Sequence, residues 1–115
     1  NLLNTYGETS VRLHPDRSRE RTGRSFCGAF IGDHVKTAIG TLLMTGSSIG
    51  TGSMIACSSY SPTTVGPLRW VTDAGEKPYR IERFLDMTSA MMARRDRELD
   101  PADAARLREL AASSS

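Results

Sequence analysis

The sequence predicts an all-β solenoid, a parallel β-helix of hexapeptide repeats with an inserted loop and a C-terminal α-helical cap. Aliphatic residues recur at most sixth positions from Ile31, Gly or Ala follows most of them, and small or β-branched residues stand four positions after each. A period of six fits neither an amphipathic helix nor an alternating strand. It is typical of a coil in which each of three flat sides is one short strand and one turn.

The repeat gives each position of the six-residue unit its own expected role. The first position is expected to point into one shared apolar interior, and it is occupied by Ile31, Thr37, Leu43, Ile49 and Ile55. The Gly or Ala that follows is expected at a tight corner, where a larger side chain would clash or demand a positive φ. The alternative is a Gly/Ser/Thr-rich loop region with accidental spacing. It is less favoured because three positions of the unit agree.

Composition and charge exclude several classes of protein. The chain has 115 residues and a net charge of +2, which is too small to argue for a nucleic-acid partner. Its 38% of apolar residues argues against disorder, and no apolar run approaches the roughly 18 residues of a membrane span. Residues 25–60 carry only two charges, Asp33 and Lys36. With two cysteines and no export signal, we expect free thiols and a cytoplasmic location.

The chain divides into three expected parts. Residues 1–60 form the β-helix, interrupted by an exposed loop at 14–25, and 61–77 are an irregular linker. Residues 78–112 form two helices, the first beginning at Pro78 and the second capped by Asp100. The arginines in and beside the loop would suit a phosphate-bearing ligand, or they are simply solvated. Because the repeat is short and the first residue is not Met, we expect further coils before Asn1.

A specific signature lies between residues 28 and 50. It reads Gly-Ala-Phe-Ile-Gly-Asp-His-Val-Lys-Thr-Ala-Ile-Gly at 28–40, followed by Thr-Gly-Ser-Ser-Ile-Gly at 45–50. The signature resembles the acetyltransferase β-helix of bifunctional sugar nucleotidyltransferases, which acetylate glucosamine 1-phosphate and couple the product to UTP. The resemblance implies a left-handed coil, a homotrimer and acetyl-CoA as cofactor. It also implies an upstream nucleotidyltransferase domain, the only part for which Mg²⁺ would be expected.

The resemblance also implies roles for particular residues. Asn1 matches an Asn that contacts the sugar or acetyl group, and Arg12 matches a basic residue near the sugar phosphate. Backbone groups near Ile39 and Cys57 correspond to contacts with acetyl-CoA, and Lys36 is a candidate contact to a coenzyme phosphate. The general-base His of the family lies before the position of Asn1.

His34 is the candidate catalytic residue within the chain itself. A His beside Asp33 could abstract the amine proton of the sugar, or it could be an exposed His at a turn. Three His are needed for the metal site of some proteins with this coil, and this chain has only His14 and His34, so no metal site is expected.

Two functions of different classes follow. The first is acetyl transfer from acetyl-CoA to an amino-sugar phosphate, glucosamine 1-phosphate, in UDP-N-acetylglucosamine synthesis, with a different amino sugar as a variant. The second is a non-catalytic platform that trimerises and regulates an attached sugar-1-phosphate nucleotidyltransferase. Neither has a nucleic-acid or membrane partner.

Overall fold

A computed structural model describes residues 6–114 of the chain. It is a small α/β protein with three sheets and two helices. The elements in chain order are β1 (Ser10–Val11), β2 (Glu20–Arg21), β3 (Phe30–Ile31), β4 (Lys36–Thr37), β5 (Ser48–Ile49), β6 (Met54–Ala56), β7 (Thr64–Val65), β8 (Arg69–Thr72), β9 (Gly75–Pro78), α1 (Ile81–Ala93) and α2 (Pro101–Ser114).

The predicted all-β solenoid, the left-handed parallel β-helix, is wrong. The chain has mixed sheets, because β1 pairs with β2 and β8 with β9 in antiparallel fashion beside the parallel pairs. Its helices are 13 and 14 residues long and supply much of one apolar cluster. Ile31, expected in the shared interior, is 52% exposed. The physical reason is that β3 has a strand neighbour on one side only.

Parallel strands nevertheless pair at a spacing that reflects the six-residue pattern. One sheet has the order β3–β5–β7 and another the order β4–β6–β8–β9. Ile31 pairs with Ile49, and Thr37 with Ile55, in each case 18 positions further along the chain. The next pairs, such as Ile49 with Val65, are 16 positions apart. The six-residue period therefore accounts for the register of the first parallel pairs but not for that of the next ones.

The inner apolar cluster lies between these two sheets. Its buried members are the four aliphatic residues Ile49, Ile55, Val65 and Val71, and Leu43 packs against them. Leu43, Ile49 and Ile55 thus meet as predicted, whereas Ile31 and Thr37 are exposed and do not join them. Because such side chains gain about 1.5–3 kcal/mol each on burial, this cluster is a main source of stability.

The predicted corner position is two residues too early. Left-handed backbone falls at every sixth residue, at His34, Gly40, Gly46 and Gly52. Gly50 is required for a different reason, since a Cβ there would lie 2.6 Å from the carbonyl carbon of Gly66. The predicted corner residue Gly50 is thus a place where two backbone segments approach closely. The left-handed turn lies two residues later, at Gly52.

The outer apolar cluster joins α1 and α2 to the second sheet. Phe84 of α1 is fully buried with Leu68, Tyr79, Leu85 and Leu107. Its ring lies directly over Gly52, where an added Cβ would approach the Phe84 Cζ to 2.9 Å. Met54 and Trp70 pack against the same cluster from the sheet. The helices therefore cover the outer face of the sheet rather than its end.

The start of α2 agrees with the sequence prediction, whereas the start of α1 does not. The Asp100 cap is confirmed, since Oδ1 of Asp100 accepts a hydrogen bond from Ala102 N at 2.8 Å. The first helix begins at Ile81 rather than Pro78 because Pro78 is the last residue of β9. Neither helix is long and apolar enough to cross a membrane, among the residues the structure describes.

Two segments predicted as irregular contain strands. Residues 14–25 include β2, which returns against β1 to make a hairpin. Glu8 ties the hairpin together because its carboxylate accepts hydrogen bonds from the Arg21 guanidinium and the Gly23 N–H. Both contacts lower the pKa of the Glu8 carboxyl from its usual 4.5. Residues 61–77 hold β7, β8 and most of β9. Buried Val65 and Val71 explain why this stretch is ordered as strands.

The matched pair Gly52→Ala and Gly40→Ala tests the docking of α1. Both residues have a positive φ, but an added Cβ at Gly40 meets nothing within 4 Å, whereas one at Gly52 meets Leu68 and Phe84. We expect Gly52→Ala to lower the free energy of unfolding by about 3 kcal/mol, and Gly40→Ala by about 1 kcal/mol. Urea denaturation measures both. Equal losses would show that Phe84 does not depend on the Gly52 notch.

Candidate functional site

The turns at Gly40, Gly46 and Gly52 differ in what covers them. The turn at Gly52 is covered by Phe84, and the turn at Gly46 by Thr9 and Val11 of the hairpin. The turn at Ile39–Gly40, here called the open turn, has no such cover among the described residues, and the Ile39 side chain is fully exposed.

Ile39 and Cys57 occupy neighbouring segments at the open turn. Ala38 N donates to the Ile55 carbonyl at 2.8 Å, and Leu42 forms a parallel bridge with Tyr60. Residues 38–42 therefore run beside 55–60, with Ile39 in one segment and Cys57 in the other. The two positions implied by the resemblance to contact a coenzyme thus lie in neighbouring segments.

A cleft of about 440 Å³, here called the first cleft, opens beside Cys57. One wall is the segment after β6 and the other is the turn between β8 and β9. Its lining residues are Cys57, Ser58, Ser59, Tyr60, Pro62, Val71, Thr72, Asp73, Gly75 and Glu76. Cys57 is a free cysteine that packs against the inner cluster, so the floor of the cleft is apolar.

The charged groups of the first cleft are acidic. Asp73 Oδ1 accepts a hydrogen bond from Ser58 N at 2.8 Å, and this contact lowers the pKa of the Asp73 carboxyl. Glu76 is held by Arg69, whose Nε lies 2.8 Å from Oε1. The described lining contains no Lys or Arg. A neutral chain with amide donors would fit this cleft better than a phosphate group.

A second cleft of about 390 Å³ lies on the far side of Glu76. It is bounded by the hairpin loop, by the turn after β7, by β8–β9 and by the end of α2. Its lining residues are His14, Pro15, Asp16, Gly66, Pro67, Arg69, Glu76 and Ser113. Glu76 lines both clefts and Arg69 supports it, so this ion pair is the wall between them.

The candidate base His34 lies elsewhere. It stands at a left-handed turn with φ 60°, and its ring packs edge-on against Phe84 with centroids 6.3 Å apart. Nothing in the described part of the chain forms a hydrogen bond to its imidazole, and it lines neither cleft. The structure therefore does not bring His34 together with Cys57.

The remaining candidate residues are also dispersed. Lys36 lies under α1, with Nζ 2.9 Å from Met91 Sδ. Arg12 lies in the hairpin, where its carbonyl accepts from Thr64 Oγ1 and its Nε is buried without a partner. Asn1 lies outside the described residues. Over residues 6–114, no three His, Cys, Asp or Glu side chains gather into a group that could hold a metal ion.

Sequence reasoning missed Asp73 and Glu76. The run Thr-Asp-Ala-Gly-Glu at 72–76 is a turn signal between two strands, and Gly75 adopts a φ of 128° there. That signal could have located a hairpin and its two carboxylates. It could not have shown that the hairpin faces Cys57.

Comparisons of this chain with protein-family models, with curated proteins and with solved structures found no match. The signature at 28–50 therefore stays a resemblance, and the geometry of the two clefts carries the functional argument.

The substitution Asp73→Asn tests the hydrogen bond across the first cleft. Because the folded-state pKa of Asp73 is lowered, its stabilising effect is present above the usual value of 3.8 and is lost as pH falls through the lower folded value. We expect the variant to lose less stability than the wild type on acidification below about pH 4. Thermal unfolding from pH 6 to 2 measures this, with Asp86→Asn on α1 as control. Identical acid profiles for Asp73→Asn and wild type would contradict the prediction.

Proposed function

We propose that the chain is the acetyl-transfer part of an enzyme that moves the acetyl group of acetyl-CoA to an amino-sugar phosphate. Glucosamine 1-phosphate is the proposed acceptor, in cytoplasmic UDP-N-acetylglucosamine synthesis. The observation that carries the proposal is that the segments containing Ile39 and Cys57 run side by side at the open turn, with a cleft of about 440 Å³ beside Cys57. The resemblance implies that backbone groups near both residues contact the coenzyme.

The chemistry of the first cleft matches one part of acetyl-CoA. The pantetheine arm is a neutral chain with two amides, and Asp73 and the serine hydroxyls can accept hydrogen bonds from amide N–H groups. The nucleotide phosphates would stay outside, away from Asp73 and Glu76. Exposed Ile39 would provide apolar contact near the entrance. Mg²⁺ has no role in this reaction.

Acetyl transfer needs a base for the amine proton. The amine nitrogen attacks the thioester carbon, the C–N bond forms, the C–S bond breaks, and coenzyme A leaves as its thiol. His34 packs against Phe84 and does not face the cleft. We therefore place the base in a segment before Asn1, as the resemblance implies, within a homotrimer.

A second candidate function is a non-catalytic platform for self-association and regulation of a sugar-1-phosphate nucleotidyltransferase. The separation of His34 from the first cleft favours it, since no described imidazole reaches Cys57. The exposed side chains of Leu42 and Tyr60 near the open turn would then be subunit contacts.

The substitution Ile39→Asp tests coenzyme binding at the open turn. Ile39 is fully exposed, so the variant should fold, while its new charge would repel the coenzyme phosphates. We expect acetyl-CoA affinity, measured by isothermal titration calorimetry, to fall about tenfold. Leu13→Asp is the control, an exposed aliphatic residue in the hairpin. Equal affinities for Ile39→Asp and the control would rule out the open turn.

The mass of the protein in solution and its rate of coenzyme A release distinguish the two proposed functions. We expect the full-length protein to consume the amine of glucosamine 1-phosphate only when acetyl-CoA is present, as measured by coenzyme A thiol release. Trimers in light scattering, together with no thiol release and no coenzyme binding, would support the platform and end the acetyltransferase proposal.

A further inference from the structure

The inner apolar cluster continues into two exposed side chains at one end of the parallel sheets. Ile31 pairs in register with Ile49, and Thr37 pairs in register with Ile55. Residues paired in this way point to the same face of their sheet. Ile49 and Ile55 are 2% and 0% exposed, whereas Ile31 is 52% exposed and Thr37 is also exposed. The ladders of inward-facing residues therefore end uncovered on the side of β3 and β4.

The backbone of β3 and β4 is available for pairing on the same side. Over residues 6–114, each of these strands has one strand neighbour. The N–H groups on either side of Ile31 donate to carbonyls of the β5 segment at 2.8 and 2.9 Å, and those on either side of Thr37 donate to the β6 segment at 3.1 and 2.8 Å. Because alternate residues of a strand bond to opposite sides, the N–H and C=O groups of Ile31 and Thr37 face away from their own sheets. These groups and the two side chains are here called the unpaired edge.

The far edge of the second sheet is protected against further pairing, whereas the unpaired edge is not. The far edge is β9, whose exposed residues include Glu76, Lys77 and Pro78. Charged side chains and proline at an edge prevent another strand from pairing there. In contrast, β3 has no charged residue, and the Nζ of Lys36 in β4 is directed to Met91 of α1. The unpaired edge therefore has the chemistry of a strand-pairing surface and lacks the residues that block one.

The unpaired edge belongs to two sheets at once, and this decides the kind of partner that fits. A single extended peptide would pair with β3 or β4 and would leave the other strand and the end of the inner cluster uncovered. A second copy of the chain presents two edge strands at the same separation, and a twofold axis brings equivalent surfaces into contact. Since neither Ile31 nor Thr37 is charged, two identical edges do not repel each other.

We propose that two copies of the chain associate through the unpaired edge. The edge strands of one protomer run antiparallel to those of its partner, because the twofold axis reverses their direction. The outward N–H and C=O groups of Ile31 and Thr37 then form hydrogen bonds between protomers, and the two inner clusters become one apolar interior. This association is a property of the fold and does not depend on acetyl transfer.

The mass of the full chain in light scattering tests the association. We expect the wild type to have twice the mass of Ile31→Asp, whether the repeating unit is one chain or a trimer, because the substitution would bury an unpaired charge. The dissociation constant of the pair should rise at least about tenfold. Leu13→Asp in the hairpin is the matched control, since Leu13 is 54% exposed. Equal masses for wild type and Ile31→Asp, or a halved mass for Leu13→Asp as well, would overturn the proposal.

Two substitutions of Thr37 test the backbone hydrogen bonds. Thr37→Pro removes the outward N–H, whereas Thr37→Val keeps the N–H and the branched shape of the side chain. We expect Thr37→Pro to halve the mass and Thr37→Val to leave it unchanged. In wild type, the Ile31 amide should exchange its hydrogen more slowly as protein concentration rises, and in Thr37→Pro it should not. A Thr37→Pro protein that still pairs would overturn the proposal.

Two further measurements separate this association from the contacts of the proposed functions. Tyr60→Asp changes an exposed residue near the open turn and should leave the pair intact. Loss of the pair in Tyr60→Asp but not in Ile31→Asp would place the contact at the open turn and overturn the proposal. Acetyl-CoA affinity should be the same in Ile31→Asp and wild type, because Ile31 lines neither cleft. Pairing through Ile31 without any coenzyme binding would support the unpaired edge and overturn acetyl transfer.

Discussion

Close approach of successive turns is the constraint on which the structure depends. Gly50 allows the backbone of Gly66 and Pro67 to lie against its own, so β5 can pair with β7. Two residues later Gly52 leaves a notch that the ring of Phe84 fills. Any larger residue at these positions would separate strands or lift α1, because the neighbouring atoms are mostly backbone or fully buried.

The second sheet consequently has apolar clusters on both faces. Ile55 and Val71 point into the inner cluster, while Met54 and Trp70, their neighbours in β6 and β8, meet the helices. Alternation along these strands explains how such short elements can hold a stable domain. The hairpin β1–β2 covers the turn at Gly46, which precedes a strand of the first sheet.

Both clefts lie where β8 and β9 end the second sheet. The antiparallel return of β9 places Glu76 opposite Val71, over the end of the inner cluster. Arg69 reaches it from the same face of the sheet. This ion pair therefore lies between the first cleft and the second cleft.

The sequence by itself determined the Asp100 cap and the 18-residue spacing at which the first parallel strands pair. These follow from spacing along the chain, which local backbone geometry converts directly into contacts. Tertiary structure alone decided that β3 is an edge strand with Ile31 exposed, that the helices lie on a sheet face, and that Glu76 meets both clefts. Such contacts join residues distant in sequence, and their partners are chosen by packing that no local pattern records.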